Sequence, residues 1–259
     1  MMILILTVVL FFLLVAIGDE RGVASMFTIL GNMLLMLLCF YLIAHGKNPY
    51  LVTAVCVLLF LLLTLFAQNG ANPKTAASFL SVLIVLCTVT GFSAWVIYAG
   101  SLGGFGELYI YDEEISFLNS EIGISANALL ICSILLGVLG ALTDTALAVS
   151  SALYEVHANN PSLGFRELYR SGSRVGRDIL GTTINTLLFA EFGESFFIWM
   201  IFLRQGYTLP QLLNSRSLLQ EVLLIFAANI GCLLIIPLTA AVTAGRLQPS
   251  RQDSPAGDV

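Results

Sequence analysis

The feature that most constrains this chain is a succession of long apolar runs, each close to the length that crosses a membrane. A bilayer core about 30 Å thick needs about 20 apolar residues in a helix. Runs this long and uniform satisfy their backbone in lipid only as helices. We predict seven spans within a single transmembrane domain, residues 1–245: residues 2–18, 23–44, 51–67, 76–99, 127–153, 179–203 and 219–244. The sequence therefore predicts an all-α, polytopic transmembrane helical bundle.

Composition supports this interpretation and narrows the classes of function. Hydrophobic residues make up 58% and charged residues 10% of the chain, whereas soluble proteins carry about a quarter charged residues. The five cysteines lie inside apolar runs without metal-ligand spacing, and no basic tract suggests nucleic acid. Nucleotide-binding and hydrolase motifs are also missing from the sequence. We therefore expect a bilayer-embedded protein that is not an enzyme and that needs no cofactor, metal or nucleic acid.

The first run, residues 2–18, could be mistaken for a signal peptide because it starts at the first residue of the sequence. A signal peptide opens with a positively charged segment, and this run has none. Asp19 and Glu20 follow it directly. We therefore expect a helix that is retained.

The distribution of basic residues predicts the orientation of the chain. If loops alternate sides, one side carries eight of them: Arg21, Lys74, Arg166, Arg170, Arg174, Arg177, Arg246 and Arg251. The other side carries Lys47, Arg204 and Arg216. Lysine and arginine accumulate in the short loops that lie on the cytoplasmic side of the membrane. We therefore expect a cell (plasma) membrane protein with its N-terminus outside and its C-terminus inside, where residues 246–259 form a disordered tail.

Two loops are longer than a tight turn. The outer one, about 100–126, is acidic and has no Lys or Arg; its acids are Glu107, Asp112, Glu113, Glu114 and Glu121. It is either a solvated loop or a vestibule that attracts a cation or a partner. The inner one, residues 155–177, predicts an amphipathic connector at the membrane interface, or alternatively a simple topogenic loop. Its arginines, Arg166, Arg170, Arg174 and Arg177, would meet anionic lipid head groups.

Ionisable residues within spans are expensive in lipid and mark functional sites. Asp144 lies in the fifth predicted span, about 15 Å before Tyr154 along a helix and so close to mid-bilayer. Its neighbours at helical spacing are small: Gly137, Gly140, Ala141, Ala148 and Ser151. Such a stripe favours close helix packing, which predicts that Asp144 points into the bundle. Thr143 adds a hydroxyl group beside it.

The sixth predicted span supplies further polar residues. Asp178, Thr182 and Asn185 fall on one face at helical spacing, and Asn185 could hydrogen-bond Asp144 across the two helices. Glu191 and Glu194 follow on the same segment, so either they line a water-filled cavity or the helix breaks near Gly193. The transport or ion-coupling candidates are Asp144, Thr143, Asn185, Asp178 and Glu191.

Three roles for Asp144 remain open. The residue could carry a proton or a cation, since removing a carboxyl from water disfavours its charged form. It could instead be an ion ligand together with hydroxyl groups and Asn185. The third alternative is a structural acid that is hydrogen-bonded to Thr and Asn and fixes helix pairing.

Residues 137–190, which include GALTDTALAVSSALYEV and GRDILGTTINTLL, resemble the YibE/YibF family of bacterial multi-pass membrane proteins. FAQNGANPKTAAS, at 66–78, and residues 214–240 share the resemblance. Because the sequence carries no additional N-terminal extramembrane portion, it is similar to the YibF type. The resemblance implies a YibE-like membrane partner and no established activity.

Residues 137–190 are also faintly similar to membrane helices of SecD/SecF and related RND-type proteins. That resemblance implies membrane acids that couple proton or cation flow to work. Two hypotheses follow: a transport-related subunit that acts with a YibE-like partner, or a non-catalytic scaffold in which Asp144 is structural. A second copy of the chain, in a homo-oligomer, is another candidate partner.

Overall fold

The computed structural model describes residues 2–103 and 125–248, which form helices joined by turns. The helices are α1 (Met2–Ala44), α2 (Pro49–Leu61), α3 (Pro73–Ala99), α4 (Ala126–Asn159), α5 (Phe165–Arg204), α6 (Leu209–Leu213) and α7 (Arg216–Leu247). A π-helical segment, Leu62–Ala67, extends α2. The predicted all-α class is confirmed over these residues. Most of the acidic loop, residues 104–124, and most of the predicted disordered tail, residues 249–259, lie outside the described residues. The first two residues of that tail, Arg246 and Leu247, are not disordered, because they form the end of α7.

Six helical stretches among the described residues are long and apolar enough to cross a membrane: Gly22–Ala44, Pro49–Ala67, Pro73–Ala99, Ala126–Asn159, Phe165–Arg204 and Arg216–Leu247. Each of the second to seventh predicted spans lies entirely within one of these helical stretches. The first predicted span corresponds to a shorter apolar helix, Ile5–Asp19, which falls below the length of about 20 residues that spans a bilayer. A count of seven and the orientation of the chain stay predictions.

Helix α1 contains a sharp change of direction at Asp19. Its backbone there has φ 47° and ψ −132°, a conformation that side chains with a Cβ rarely adopt. The kink separates Ile5–Asp19 from Gly22–Ala44. The boundary lies where the sequence turns from apolar to acidic.

The predicted connector at 155–177 is not a separate element. Helix α4 continues to Asn159, a turn follows, and α5 then runs without interruption from Phe165 to Arg204. A hydrogen bond caps the start of α5: the backbone N–H of Gly164 donates to Glu167 Oε2 at 3.0 Å. The arginine-bearing stretch is therefore the first part of a 40-residue helix, because no helix-breaking residue separates it from the apolar run.

The described chain divides into two compact units. The first comprises described residues of Met1–Asn72, Ala94–Leu136 and Thr208–Gln220. Its buried cluster contains Cys39, Ile43 and Cys56. Helices α1 and α2 are also joined where Asn32 Nδ2 donates to Thr64 Oγ1 of the π-helical segment at 3.0 Å.

The second unit comprises described residues of Pro73–Ser93, Gly137–Tyr207 and Glu221–Val259. Its centre is a stripe along α4 whose side chains are fully buried: Val138, Leu142, Ala146, Val149 and Leu153. The hydroxyl groups of Ser78 on α3 and Ser150 on α4 lie 2.7 Å apart and share a hydrogen bond.

Two glycines bring the first part of α5 against its neighbours in this unit. A Cβ at Gly172 would collide with the side chain of Leu153 on α4, and one at Gly176 would collide with Ile236 on α7. Both glycines are buried. This part of α5 therefore packs against other helices by close backbone approach.

Candidate functional site

The second unit contains a groove of about 450 Å³ between α4 and α5 that holds Asp144. It is lined by Ala141, Asp144, Thr145 and Ala148 of α4 and by Ile179, Thr182, Thr183, Thr186 and Leu187 of α5. One carboxyl and four threonines therefore share the groove with small and aliphatic side chains.

The position of Asp144 follows from how α4 is buried. Residues two apart on a helix lie about 200° apart around its axis, so Asp144 lies nearly opposite Leu142 and the buried stripe. Asp144 is exposed at the surface of the described chain. The prediction that it points into the bundle is wrong, because the branched apolar stripe occupies the core and the alanines at 141 and 148 border the groove instead.

The α5 wall presents Thr182, Thr183 and Thr186, which recur at the three- and four-residue spacing of one helix face. The Thr182 hydroxyl donates to the carbonyl of Ile179 at 2.8 Å. On the opposite wall the Thr145 hydroxyl donates to the carbonyl of Ala141 at 2.8 Å. A hydroxyl whose proton is used in this way keeps lone pairs that can accept a hydrogen bond or contact a cation.

The carboxylate of Asp144 has no protein partner in the part of the chain that the structure describes: it accepts no hydrogen bond and pairs with no cation. The third predicted role, a structural acid hydrogen-bonded to Thr and Asn, requires contacts that these residues do not make. The groove instead presents an unpaired carboxylate among hydroxyl oxygens.

Three other predicted residues lie away from the groove. Thr143 is buried and its hydroxyl donates to the carbonyl of Leu139 at 2.7 Å. Asn185 and Asp178 are exposed and do not line the groove, so the expected hydrogen bond between Asn185 and Asp144 is not formed. The face predicted from Asp178, Thr182 and Asn185 is turned by about one residue, or about 100°, from the face that lines the groove. The observed face also includes Thr183 and Thr186, and their spacing with Thr182 is the sequence signal that identifies it.

Glu191 belongs to a second acidic group. It is close enough to Glu194 on α5 and to Glu221 on α7 for their charges to interact, and its Oε2 atom is buried without a hydrogen-bond partner. Ser195 donates to Glu221 Oε2 at 2.9 Å. Helix α5 continues through Gly193, so the expected alternative of a break there is not found. Glu191 lies about 14 Å from Thr182 along the axis of α5, so it does not share the groove.

The predicted basic residues divide into two sets. Arg166, Arg170 and Arg177 line a second cavity of about 700 Å³ between α5 and α7. Arg174 is exposed and is not among the residues that line it. Among residues 2–103 and 125–248, no group of three or more His, Cys, Asp or Glu side chains could hold a metal ion.

Six apolar helices of membrane-spanning length define this chain as a helical, multi-pass membrane protein. The family model described as YibE/F-like protein matches residues 6–248. The chain therefore belongs to the YibE/F-like family, as its sequence predicted. No curated protein and no solved structure matches the chain. The resemblance to SecD/SecF finds no support in these comparisons.

Proposed function

We propose that this chain is a membrane subunit of a transport system in which Asp144 binds and releases a proton or a monovalent cation. The observation that carries the proposal is the groove, where an unpaired carboxylate faces threonine oxygens. Oxygen donors of this kind suit protons and hard cations. The protein would then move an ion or couple its movement, and would carry out no chemistry on a substrate.

The depth of Asp144 supports this role. The adjacent Thr145 lies close to Cys232, which lies about midway between Arg216 and Leu247 on α7. If α7 crosses the bilayer, Asp144 lies near the middle of it. Ionisable residues at that depth face a cavity or a partner and mark ion pathways.

Each groove residue has a distinct part in this proposal. Asp144 takes up the ion, and the oxygens of Thr145 and Thr182 contact it, since their protons are already donated to backbone carbonyls. Thr183 and Thr186 extend the row of oxygens along α5. Glu191 is a second carboxyl further along the same helix, where an ion that leaves Asp144 could next be held.

The exposure of Asp144 bears on the partner. An unpaired carboxylate on a lipid-facing surface is costly, so a second protein would cover the groove in the assembled system. We propose a YibE-like membrane protein for this place, with a second copy of this chain as the alternative. We further propose that the assembly lies in the cell membrane, with the N-terminus outside and the C-terminus inside.

A flux measurement tests the ion-binding role. The protein, together with a co-expressed YibE-like partner, would be reconstituted into liposomes, and proton and sodium fluxes would be followed with a pH-sensitive dye and a sodium tracer. Asp144→Asn keeps the shape of the side chain and removes its ionisable group, so we expect it to lose the flux. Asp178→Asn, which changes an acid outside the groove, is the matched control and should keep it. Wild-type flux in Asp144→Asn would refute the role of Asp144.

A scaffold function is the second candidate, and the exposure of Asp144 is the observation that favours it. In that case the carboxylate would bind a polar group on the partner. Asp144→Asn would then reduce the amount of partner that co-purifies, whereas Asp178→Asn would not. If Asp144→Asn forms the complex normally but loses the flux, the transport function is supported over the scaffold function.

A further inference from the structure

The cavity of about 700 Å³ between α5 and α7 combines a basic side with an apolar side. From α5 it is lined by Arg166, Glu167, Tyr169, Arg170, Ser173, Arg177 and Leu180, and from α7 by Leu233, Ile236 and Pro237. The two sides are held together because Gly176 packs directly against Ile236. The cavity shares no lining residue with the Asp144 groove, so an inference about its ligand does not rest on ion binding at Asp144.

The basic side carries unneutralised charge. Four charged residues line the cavity, and three of them are arginines. The fourth, Glu167, accepts the backbone N–H of Gly164 at 3.0 Å and so is held at the start of α5. None of these arginines forms an ion pair within the part of the chain that the structure describes. The cavity therefore attracts an anion.

Two polar groups of the cavity, on Arg177 and Ser173, are oriented or available for a ligand. Arg177 Nε donates to the carbonyl of Ser173 at 3.3 Å, which orients the guanidinium group. The Ser173 hydroxyl is buried and has no hydrogen-bond partner, although a buried hydroxyl normally has one. Tyr169 stacks on Phe165 with ring centroids 6.2 Å apart. An unpartnered donor beside arginine side chains fits a ligand with several acceptor oxygens.

The apolar side determines what else the ligand carries. Leu233 is 49% exposed on the surface of α7, and Leu180 and Pro237 continue this surface beside the cavity. A small inorganic anion would leave these side chains uncovered. A ligand with an anionic head and an apolar tail would use both sides.

We propose that this cavity binds the head group of one anionic phospholipid. The phosphate accepts hydrogen bonds from Arg170 and Arg177, whose planar guanidinium groups match phosphate oxygens. Ser173 supplies a further donor. The upper part of an acyl chain lies along Leu233. Arg166, near the beginning of α5, provides long-range attraction at the mouth.

Native mass spectrometry of the full chain, released from detergent micelles with added lipid, tests the proposal. We expect phosphatidylglycerol to be retained in preference to phosphatidylcholine, at about one lipid per chain. The double variant Arg170→Gln/Arg177→Gln should bind phosphatidylglycerol at least about tenfold more weakly, because hydrogen bonds between charged groups contribute strongly to affinity. Arg174→Gln is the matched control: it removes the same charge from the same helix outside the cavity, and it should bind as the wild type does.

Further arms distinguish a lipid from a free anion and a site from a diffuse charge effect. Inorganic phosphate and glycerol phosphate should compete weakly, since they lack the tail that covers Leu233. Equal losses in Arg174→Gln and in the cavity variants would overturn the proposal, as would no preference for phosphatidylglycerol or full competition by inorganic phosphate. Ser173→Ala, which keeps all charges, should also weaken binding. It replaces the double variant if that protein does not fold.

Discussion

Replacing Gly176 with alanine is expected to destabilise the contact between α5 and α7, although alanine is the better helix former. The added Cβ would collide with Cγ2 of Ile236 and lie 3.3 Å from its Cβ and Cγ1 atoms. Overpacking of this kind costs about 1–3 kcal/mol. The helix itself gains about 0.5–1 kcal/mol when glycine becomes alanine. The net effect depends on both terms, so a reference variant is needed to separate them.

Gly181 provides that reference on the same helix. A Cβ at Gly181 would meet nothing within 4 Å, so Gly181→Ala should show only the helix-propensity gain and stabilise the protein. Subtracting the two variants cancels this gain. The free energies of unfolding of Gly176→Ala and Gly181→Ala should therefore differ by about 1–3 kcal/mol, the overpacking cost alone. The assay is equilibrium unfolding in mixed micelles, followed by tryptophan fluorescence.

A third change makes the test specific to one contact. Ile236→Ala removes the atom that collides with the new Cβ and leaves the Cβ of residue 236, at 3.3 Å, which a small shift relieves. In that background Gly176→Ala should change sign and become neutral or stabilising. Equal stabilities for Gly176→Ala and Gly181→Ala, or no coupling with Ile236→Ala, would refute the close approach of α5 and α7.

Two further predictions concern the core helices. Ser150→Ala should lower the free energy of unfolding by about 1 kcal/mol, because it removes the hydrogen bond between α3 and α4 and leaves Ser78 its bond to the carbonyl of Lys74. An effect near zero in the same unfolding assay would contradict the contact. Cys39 and Cys232 are buried, so a small maleimide should label them only after denaturation, as read by peptide mass spectrometry.

The spans could be predicted from sequence because they depend on local composition. An apolar run near 20 residues has few other structures open to it, and six predicted spans coincide with helices of the required length. Whether residues 2–18 cross the membrane is harder to predict, since this run is marginal in length and is followed by acids. The continuity of α5 cannot be predicted for a related reason. Amphipathicity describes which face is polar, and it does not say where a helix ends.

The site could be predicted only in part, because the rotation of each helix is set by packing. Asp144 was identified by its chemistry alone, since an acid in an apolar run is unusual wherever it points. Its neighbours depend on which face of α5 meets α4, and helical spacing does not choose among faces. Helical spacing with Asp178 and Thr182 predicts Asn185 as the partner of Asp144, whereas the observed wall contains Thr183.

The glycines of α5, rather than its polar residues, indicate which face of the helix packs against its neighbours. Gly172 and Gly176, one turn apart, mark the side that approaches α4 and α7 most closely. Successive residues are about 100° apart around the helix axis. Around that axis, most of the α5 residues that line the Asp144 groove lie on one side of Gly176, and most of the α5 residues that line the basic cavity lie on the other. One close contact therefore positions both candidate sites. For this reason Gly176→Ala, which presses on that contact, should weaken phospholipid binding more than Gly181→Ala does.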